Sequence, residues 1–367
     1  MEPEQTKPLF RQERTDKMKK EKLLHSTKIQ QMIAQYKHDM QLVDQLTADA
    51  EPHYEIEQEL YKKYEVKRGL RDLDGKGVRA GLTTISKVSA TQIVDGREVP
   101  AAGQLLYRGI PIEQLVQGFI THDRFGFEEI VYLLLMGHLP KADQLAQFKG
   151  LLTDYQELPN HFNSGVIMKM PSDNIMNTMA KCVLALHAYD PKPDDTSLPN
   201  VMRQCIQLVS QFPSLAVFGY QASMYFRNDR SMFIQKPDPK LSIAENILYM
   251  MRPDGKYTRL EAKLLDLCLV LHAEHGGGNN SAFTVHVVSS SGTDTYSTVA
   301  AALGSLKGPK HGGANIKVME MFEDLKQHCP DWEDEDALRE YLKGLLRGEG
   351  FDHSGLIYGM GHAVYSV

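Results

Sequence analysis

Three short segments late in the chain each set a histidine among glycines: His272-Ala-Glu-His275-Gly-Gly-Gly-Asn279-Asn-Ser281, Gly308-Pro-Lys-His311-Gly-Gly-Ala-Asn315 and Met360-Gly361-His362-Ala-Val-Tyr365. Imidazole changes charge closest to neutral pH, and its neutral ring offers one hydrogen-bond donor and one acceptor. Flanking glycines let the backbone come close to a bound molecule. A lone histidine of this kind reads as a helix-end or core residue satisfied by its neighbours. Three in succession point to one site for acid–base or hydrogen-bond chemistry on a small molecule. Zinc is the weaker reading, and no metal is expected. His272 and His275 lie three apart and share a side of a helical stretch, but Glu274 stands between them and no H-E-x-x-H spacing occurs.

His311 carries a further signal. Gly308 and Pro309 end a helix predicted over Thr295–Leu306 that is rich in small residues, so His311 falls in the loop before a new helix that Asn315 is expected to cap. The positive end of that helix disfavours an imidazolium. The ring is then neutral near pH 7 and donates a hydrogen bond without surrendering a proton.

The elements that must carry these loops are helical. Apolar residues recur at three-and-four spacing over Phe127–Met136, Ala142–Leu152, Ser172–Tyr189, Leu198–Gln211, Ser214–Arg227, Ile243–Met251 and Thr258–Ala273. Pro191-Lys-Pro193, Pro213, Pro237-Asp-Pro239 and Pro253-Asp-Gly255 punctuate them. Gln92–Val99 and Gln104–Gly109 read as short strands around an Asp95-Gly96 turn, a minor β-hairpin region near 85–112. Upstream, Ile29, Met32, Ile33, Tyr36, Met40 and Val43 form one amphipathic stripe. It suits a helix that docks on the body of the protein or on a second subunit, with a dedicated partner-binding arm as the alternative. The fold class is mostly α.

Composition narrows the function classes. At 367 residues the chain is long enough for two domains. A net charge of −6 with both signs interspersed predicts no nucleic-acid partner and no membrane. Lys17, Lys19, Lys20 and Lys22 are mixed with Glu2, Glu4, Glu13 and Glu21, which argues against an acid-poor transit peptide. No run approaches the roughly 18 apolar residues of a spanning helix, so a soluble, cytoplasmic protein is expected. Cys182, Cys205, Cys268 and Cys329 are scattered without a C-x-x-C pair and read as structural thiols. Neither a G-x-G-x-x-G after a strand nor a Walker-type loop occurs.

Taken together and in this order, H-A-E-H-G-G-G-N-N-S, G-P-K-H-G-G-A-N and G-M-G-H-A-V-Y resemble the signature segments of the citrate synthase family. Leu106-Tyr-Arg-Gly-Ile-Pro-Ile-Glu-Gln-Leu115 resembles a family segment of the large domain, and the resemblance runs from about Gly75 to Val367. It implies an acyltransferase of the tricarboxylic acid cycle that condenses acetyl-CoA with oxaloacetate to citrate and CoA. Both act as substrates, with no cofactor. By family position His311 and His362 are catalytic, the first donating to the thioester oxygen and the second to the oxaloacetate ketone. His275, Asn279 and Ser281 hold substrate, and the last two orient His311. Leu356, Ile357, Tyr358, Gly359 and Gly361 approach CoA with their backbone. A homodimer of two-domain subunits is implied, whose smaller domain closes over the substrates. That places an N-terminal helical extension at 1–70, a large helical domain at 71–311 and the start of a small domain, truncated, at 312–367.

One departure stands out. The family's later arginines and its aspartate base follow the G-H-A-V-Y segment, whereas Arg347 and Asp352 are the last of their kinds here and precede His362. Buried carboxylates of oxaloacetate need such cations, so the polypeptide alone is expected to be inactive or nearly so. Three alternatives stay open: a 2-methylcitrate synthase using propionyl-CoA, a non-catalytic homologue that binds CoA or a dicarboxylate, and a helical scaffold with incidental histidines.

Overall fold

The computed structural model describes parts of 30–48, then 57–65 and 83–360. Its contacts divide the chain into Met1–Lys76 and Gly77–Val367. In the first unit the described residues of 30–48 are helical, with Ile33, Met40 and Val43 exposed, and α1 is the short helix Gln58–Lys63. Ile29, Met32 and Tyr36 of the expected stripe lie outside the described residues.

The second unit opens with a three-stranded antiparallel sheet, β1 (Ser86–Val94), β2 (Arg97–Tyr107) and β3 (Ile110–Pro111). Asp95 and Gly96 both have positive φ, the backbone of the tight turn that matches the strands' twist. Both strands run longer than the sequence suggested, because the ladder continues on either side of an irregularity between Ser89 and Thr91.

Helices follow: α2 (Ile112–Thr121), α3 (Phe127–Met136), α4 (Ala142–Tyr155), α5 (Ile175–Leu186), α6 (Leu198–Arg227), α7 (Ile243–Met251), α8 (Arg259–Leu271), α9 (Asn280–Ser289), α10 (Thr295–Leu306), α11 (Ala314–His328) and α12 (Glu335–Leu346). The fold is mostly α, as read from the sequence. Helices α3, α7 and α10 occupy their expected spans. Capping explains several shifted ends: Asn174 caps α5 and Thr258 caps α8, so neither helix begins where apolar spacing alone put it. Past Leu186 the chain tightens into the 3-10 turn His187–Tyr189.

Two expectations fail. Pro213 does not divide two helices, because Leu198–Arg227 is one helix with the proline inside it. Proline removes a backbone donor and is costly there, by about 3 kcal/mol. Burial on both sides offsets this, with Ile206 and Leu208 before it and Leu215 and Phe218 after it all in the core. Nor does Asn315 cap α11. Gly313 is the cap residue, makes no side-chain bond, and leaves Asn315 inside the first turn.

One core joins α5, α6 and α10 through Cys182, Val183, Leu186, Leu208, Leu215, Phe218, Tyr296, Ala300 and Leu303. Gly219 lets α5 approach α6, since a Cβ there would meet Thr178 Cγ2 at 3.0 Å. A second core gathers Tyr107, Leu115, Phe119, Ile130, Leu133 and Val270, fixing the end of β2 against the end of α8. Those two ends carry the first histidine loop.

Candidate active site

The first loop leaves α8 at His272, whose exposed ring turns back so that Nδ1 bonds the Cys268 carbonyl at 2.7 Å. The buried Tyr107 hydroxyl donates to the Val270 carbonyl at 2.9 Å and accepts the Glu274 N–H at 3.3 Å. Glu274 then folds over its own loop. One oxygen, Oε1, accepts the Gly276 N–H at 2.7 Å, the His275 N–H at 3.1 Å and the Ser86 hydroxyl at 3.0 Å. A carboxylate with three donors on one oxygen serves as a clamp on the loop. Gly276, at φ +85°, leaves room for Val88, whose Cγ2 would lie 3.3 Å from an added Cβ. The loop is thus seated on β1.

Asn279 ends the loop by capping α9, its side-chain oxygen accepting the N–H of Ser281 at 2.9 Å and of Ala282 at 3.3 Å. This sets Ser281 on the first turn of α9, where its Oγ meets the Ala302 carbonyl of α10 at 3.1 Å and His311 Nε2 at 2.9 Å. Sequence reasoning had Asn279 and Ser281 both orienting His311. Among the described residues Ser281 is the one that hydrogen-bonds the ring, and Asn279 acts one step back through the backbone of Ser281.

His311 is held by crowding. Its N–H bonds the Gly308 carbonyl at 2.9 Å, and the Gly313 N–H reaches the carbonyls of Leu306 and Gly308, each at 3.1 Å. A Cβ on Gly312 would lie 2.6 Å from Leu306 Cδ1, and one on Gly313 would collide with the Lys307 and Gly308 carbonyl oxygens. The half-buried His311 ring has its pKa lowered, by burial first and by neighbouring His275 second. A neutral imidazole is the favoured state there.

The third segment packs on the helix that follows His311. Gly359, at φ +85°, comes within 3.3 Å of Val318 Cγ2 on α11 as measured from an added Cβ, and Tyr358 donates to Asp352 Oδ2 at 2.6 Å. Leu356 is exposed and Ile357 half-buried. Gly361 and His362 lie outside the described residues.

Residues 70–367 match the family model for the citrate synthase C-terminal domain. The chain belongs to the citrate synthase family. It is 37% identical over 290 residues to the citrate synthase of Acidithiobacillus ferridurans, covering 76% of this chain and 67% of that protein. It is 31% identical over 308 residues to 2-methylcitrate synthase 1 of Corynebacterium glutamicum, covering 82% of this chain and 70% of that protein. The crystal structure of citrate synthase from Pyrobaculum aerophilum superposes with a TM-score of 0.61 at 27% identity, over 82% of this chain and 69% of that one.

In this citrate synthase chain the residues singled out from sequence fall into three groups. Ser281 and His311 are in contact, with His275 near enough to act on the ring's charge. Asn279 supports them from the cap of α9. Leu356–Gly359 sit instead against α11. What sequence reasoning missed is the support beneath the first loop, Ser86, Tyr107 and Glu274. Tyr107 lies in the recognised Leu106–Leu115 segment, but its bond spans 163 positions, and Ser86–Glu274 spans 188. No spacing rule reaches that far.

Proposed function

We propose that this citrate synthase chain builds its active site around His311 and that the full-length protein condenses acetyl-CoA with oxaloacetate. A carbon–carbon bond forms between the acetyl methyl, after loss of a proton, and the oxaloacetate ketone carbon. Water then cleaves the thioester to give citrate and CoA. The observation that carries the reading is Ser281 Oγ at 2.9 Å from His311 Nε2. The serine has one proton to give. Donated to Nε2, it makes the neutral ring carry its own proton on Nδ1, free to meet the oxygen of an enolising thioester. Donated to Ala302, it would leave Nδ1 bare. The donor role of His311 therefore requires the first arrangement.

His275 beside it is the residue proposed to hold oxaloacetate, with His362 donating to the ketone. Leu356–Gly361 would receive CoA along their backbone, and the positive φ of Gly359 supports a loop that leaves room for it. We further infer a boundary near His311 between a large lobe and a smaller, closing one. The sparse packing of α11 and α12 against the preceding helices supports it. Closure over the substrates would keep water from the thioester until condensation is done. A homodimer working in the cytoplasm completes the reading. Among the described residues no helix is long and apolar enough to cross a membrane.

The Corynebacterium glutamicum relative favours one second reading, a 2-methylcitrate synthase acting on propionyl-CoA. Release of free CoA from each thioester with oxaloacetate, measured on the full-length protein, separates the two. One methylene is worth about 1–3 kcal/mol, roughly 10–200-fold, so acetyl-CoA should win by a factor in that range. Preference for propionyl-CoA would transfer the assignment, and turnover of neither by the full-length protein would remove it.

A further inference from the structure

Far from His311, three side chains from separate segments converge: His187 in the 3-10 turn after α5, Asp194 in the loop leading to α6, and Asp294 at the N-cap of α10. One ligand atom from each lies within 4.8 Å of the others, and His187 Nε2 stands 3.1 Å from Asp194 Oδ1. We propose that this cluster is a binding site for a divalent ion of the zinc type, held by one imidazole nitrogen and two carboxylates with water in the fourth position.

The donor set suits that chemistry. Imidazole plus two carboxylates gives nitrogen and hard oxygen ligands, and two negative charges balance a dication. Ligand atoms around a tetrahedral zinc at about 2.0–2.2 Å lie roughly 3.4 Å apart, so the His187–Asp194 pair at 3.1 Å already has the right spacing and any wider pair of the trio has to close in. Asp194, with its side chain 80% exposed, has room to adjust. The other two are already oriented from outside the trio, as metal ligands are. Asp294 is buried, and its Oδ1 accepts the Ser297 N–H at 2.8 Å. The His187 ring packs edge-on against Tyr296, 6.1 Å between centroids, and the Tyr296 hydroxyl is itself tied to Asp190 at 2.5 Å. Asn200 pins the loop that bears Asp194 by donating to the carbonyls of Lys192 at 2.9 Å and Asp195 at 2.7 Å. Sequence spacing could not reveal such a trio, since Asp294 lies a hundred positions beyond Asp194.

An ion here would tie the turn after α5 and the loop before α6 to the start of α10. That helix has 12 residues, about 18 Å at 1.5 Å per residue, and its other end leads into the His311 loop. The site is remote from the proposed chemistry, so its loss should leave turnover intact. The test is titration of chelator-treated protein with Co2+, followed by its visible absorption and by calorimetry, with Zn2+ as competitor. One saturable equivalent is expected. His187→Gln and Asp194→Asn should each weaken it beyond the ~10–100-fold that loss of an outer-shell partner brings, while His272→Gln leaves it unchanged. Thermal unfolding should shift upward with Zn2+ in the parent protein and not in the two ligand variants, whose folding is checked by circular dichroism. No saturable Co2+ signal, or an undiminished one in both ligand variants, overturns the proposal.

Discussion

The two ends of α10 hold an ionisable group each, and they hold it differently. At the start, Asp190 accepts from Arg203 at 2.7 Å, from Tyr296 at 2.5 Å, from Gln204 at 3.2 Å and from the Lys192 backbone at 2.8 Å. At the far end, the His311 side chain hydrogen-bonds Ser281. A fully buried carboxylate with many donors stays charged, and its pKa falls to about 2 despite the burial that opposes this. A half-buried imidazole with one hydroxyl partner stays neutral and keeps a ring nitrogen available. One end of the helix locks the fold, and the other leaves a side chain ready for use.

Breaking the locked end should have the largest effect. Arg203→Ala strands Asp190 without its cation, and removing one partner of a buried pair costs about 3–5 kcal/mol. Urea unfolding should record that loss. A change of only a few tenths would mean that Tyr296 and Gln204 suffice. Next comes His311→Ala. In the full-length protein turnover should fall at least ~100-fold, about 2.7 kcal/mol of transition-state stabilisation, with the unfolding midpoint nearly unchanged. Near-normal turnover would take His311 out of the mechanism and erase the contrast between the two ends.

Ser281→Ala should be milder, removing one hydrogen bond worth roughly 0.5–1.5 kcal/mol, or about 2–13-fold in turnover. An equal loss in Ser281→Thr, which keeps a hydroxyl, would show that packing and not the bond matters. The smallest effect is a separation in pH. His311 is depressed in the folded state, so its contribution to stability is present above its ordinary value of 6.5 and is lost as pH falls below it. Asp190 is also depressed, from 3.8 to about 2, so its contribution persists to pH 4 and disappears as pH falls through 2. Unfolding midpoints measured from pH 8 to pH 2 should therefore show two steps. His311→Ala should delete the upper and Arg203→Ala should flatten the lower.

Much of this was legible in the sequence where the cause is local. The Asp95-Gly96 turn, helices α3, α7 and α10 and the glycine-flanked histidines all follow from neighbours a few positions apart. Reading failed where a distant partner decides. The core on both sides of Pro213 overrides a local helix breaker, and Gly313 displaces Asn315 from the cap because the chain turns too tightly for a side chain there. For the candidate site, the residue types were visible but the roles were not. Glu274 looked misplaced for a metal and proves to be the clamp of its loop.

The crowding at Gly312 and Gly313 bears on how this enzyme can change. Since neither position has space for even a methyl group, sequence variation at that corner is closed off. A descendant that acquires a new acyl preference must find it by altering other positions. The corner itself becomes a fixed hinge-pin around which such divergence is arranged.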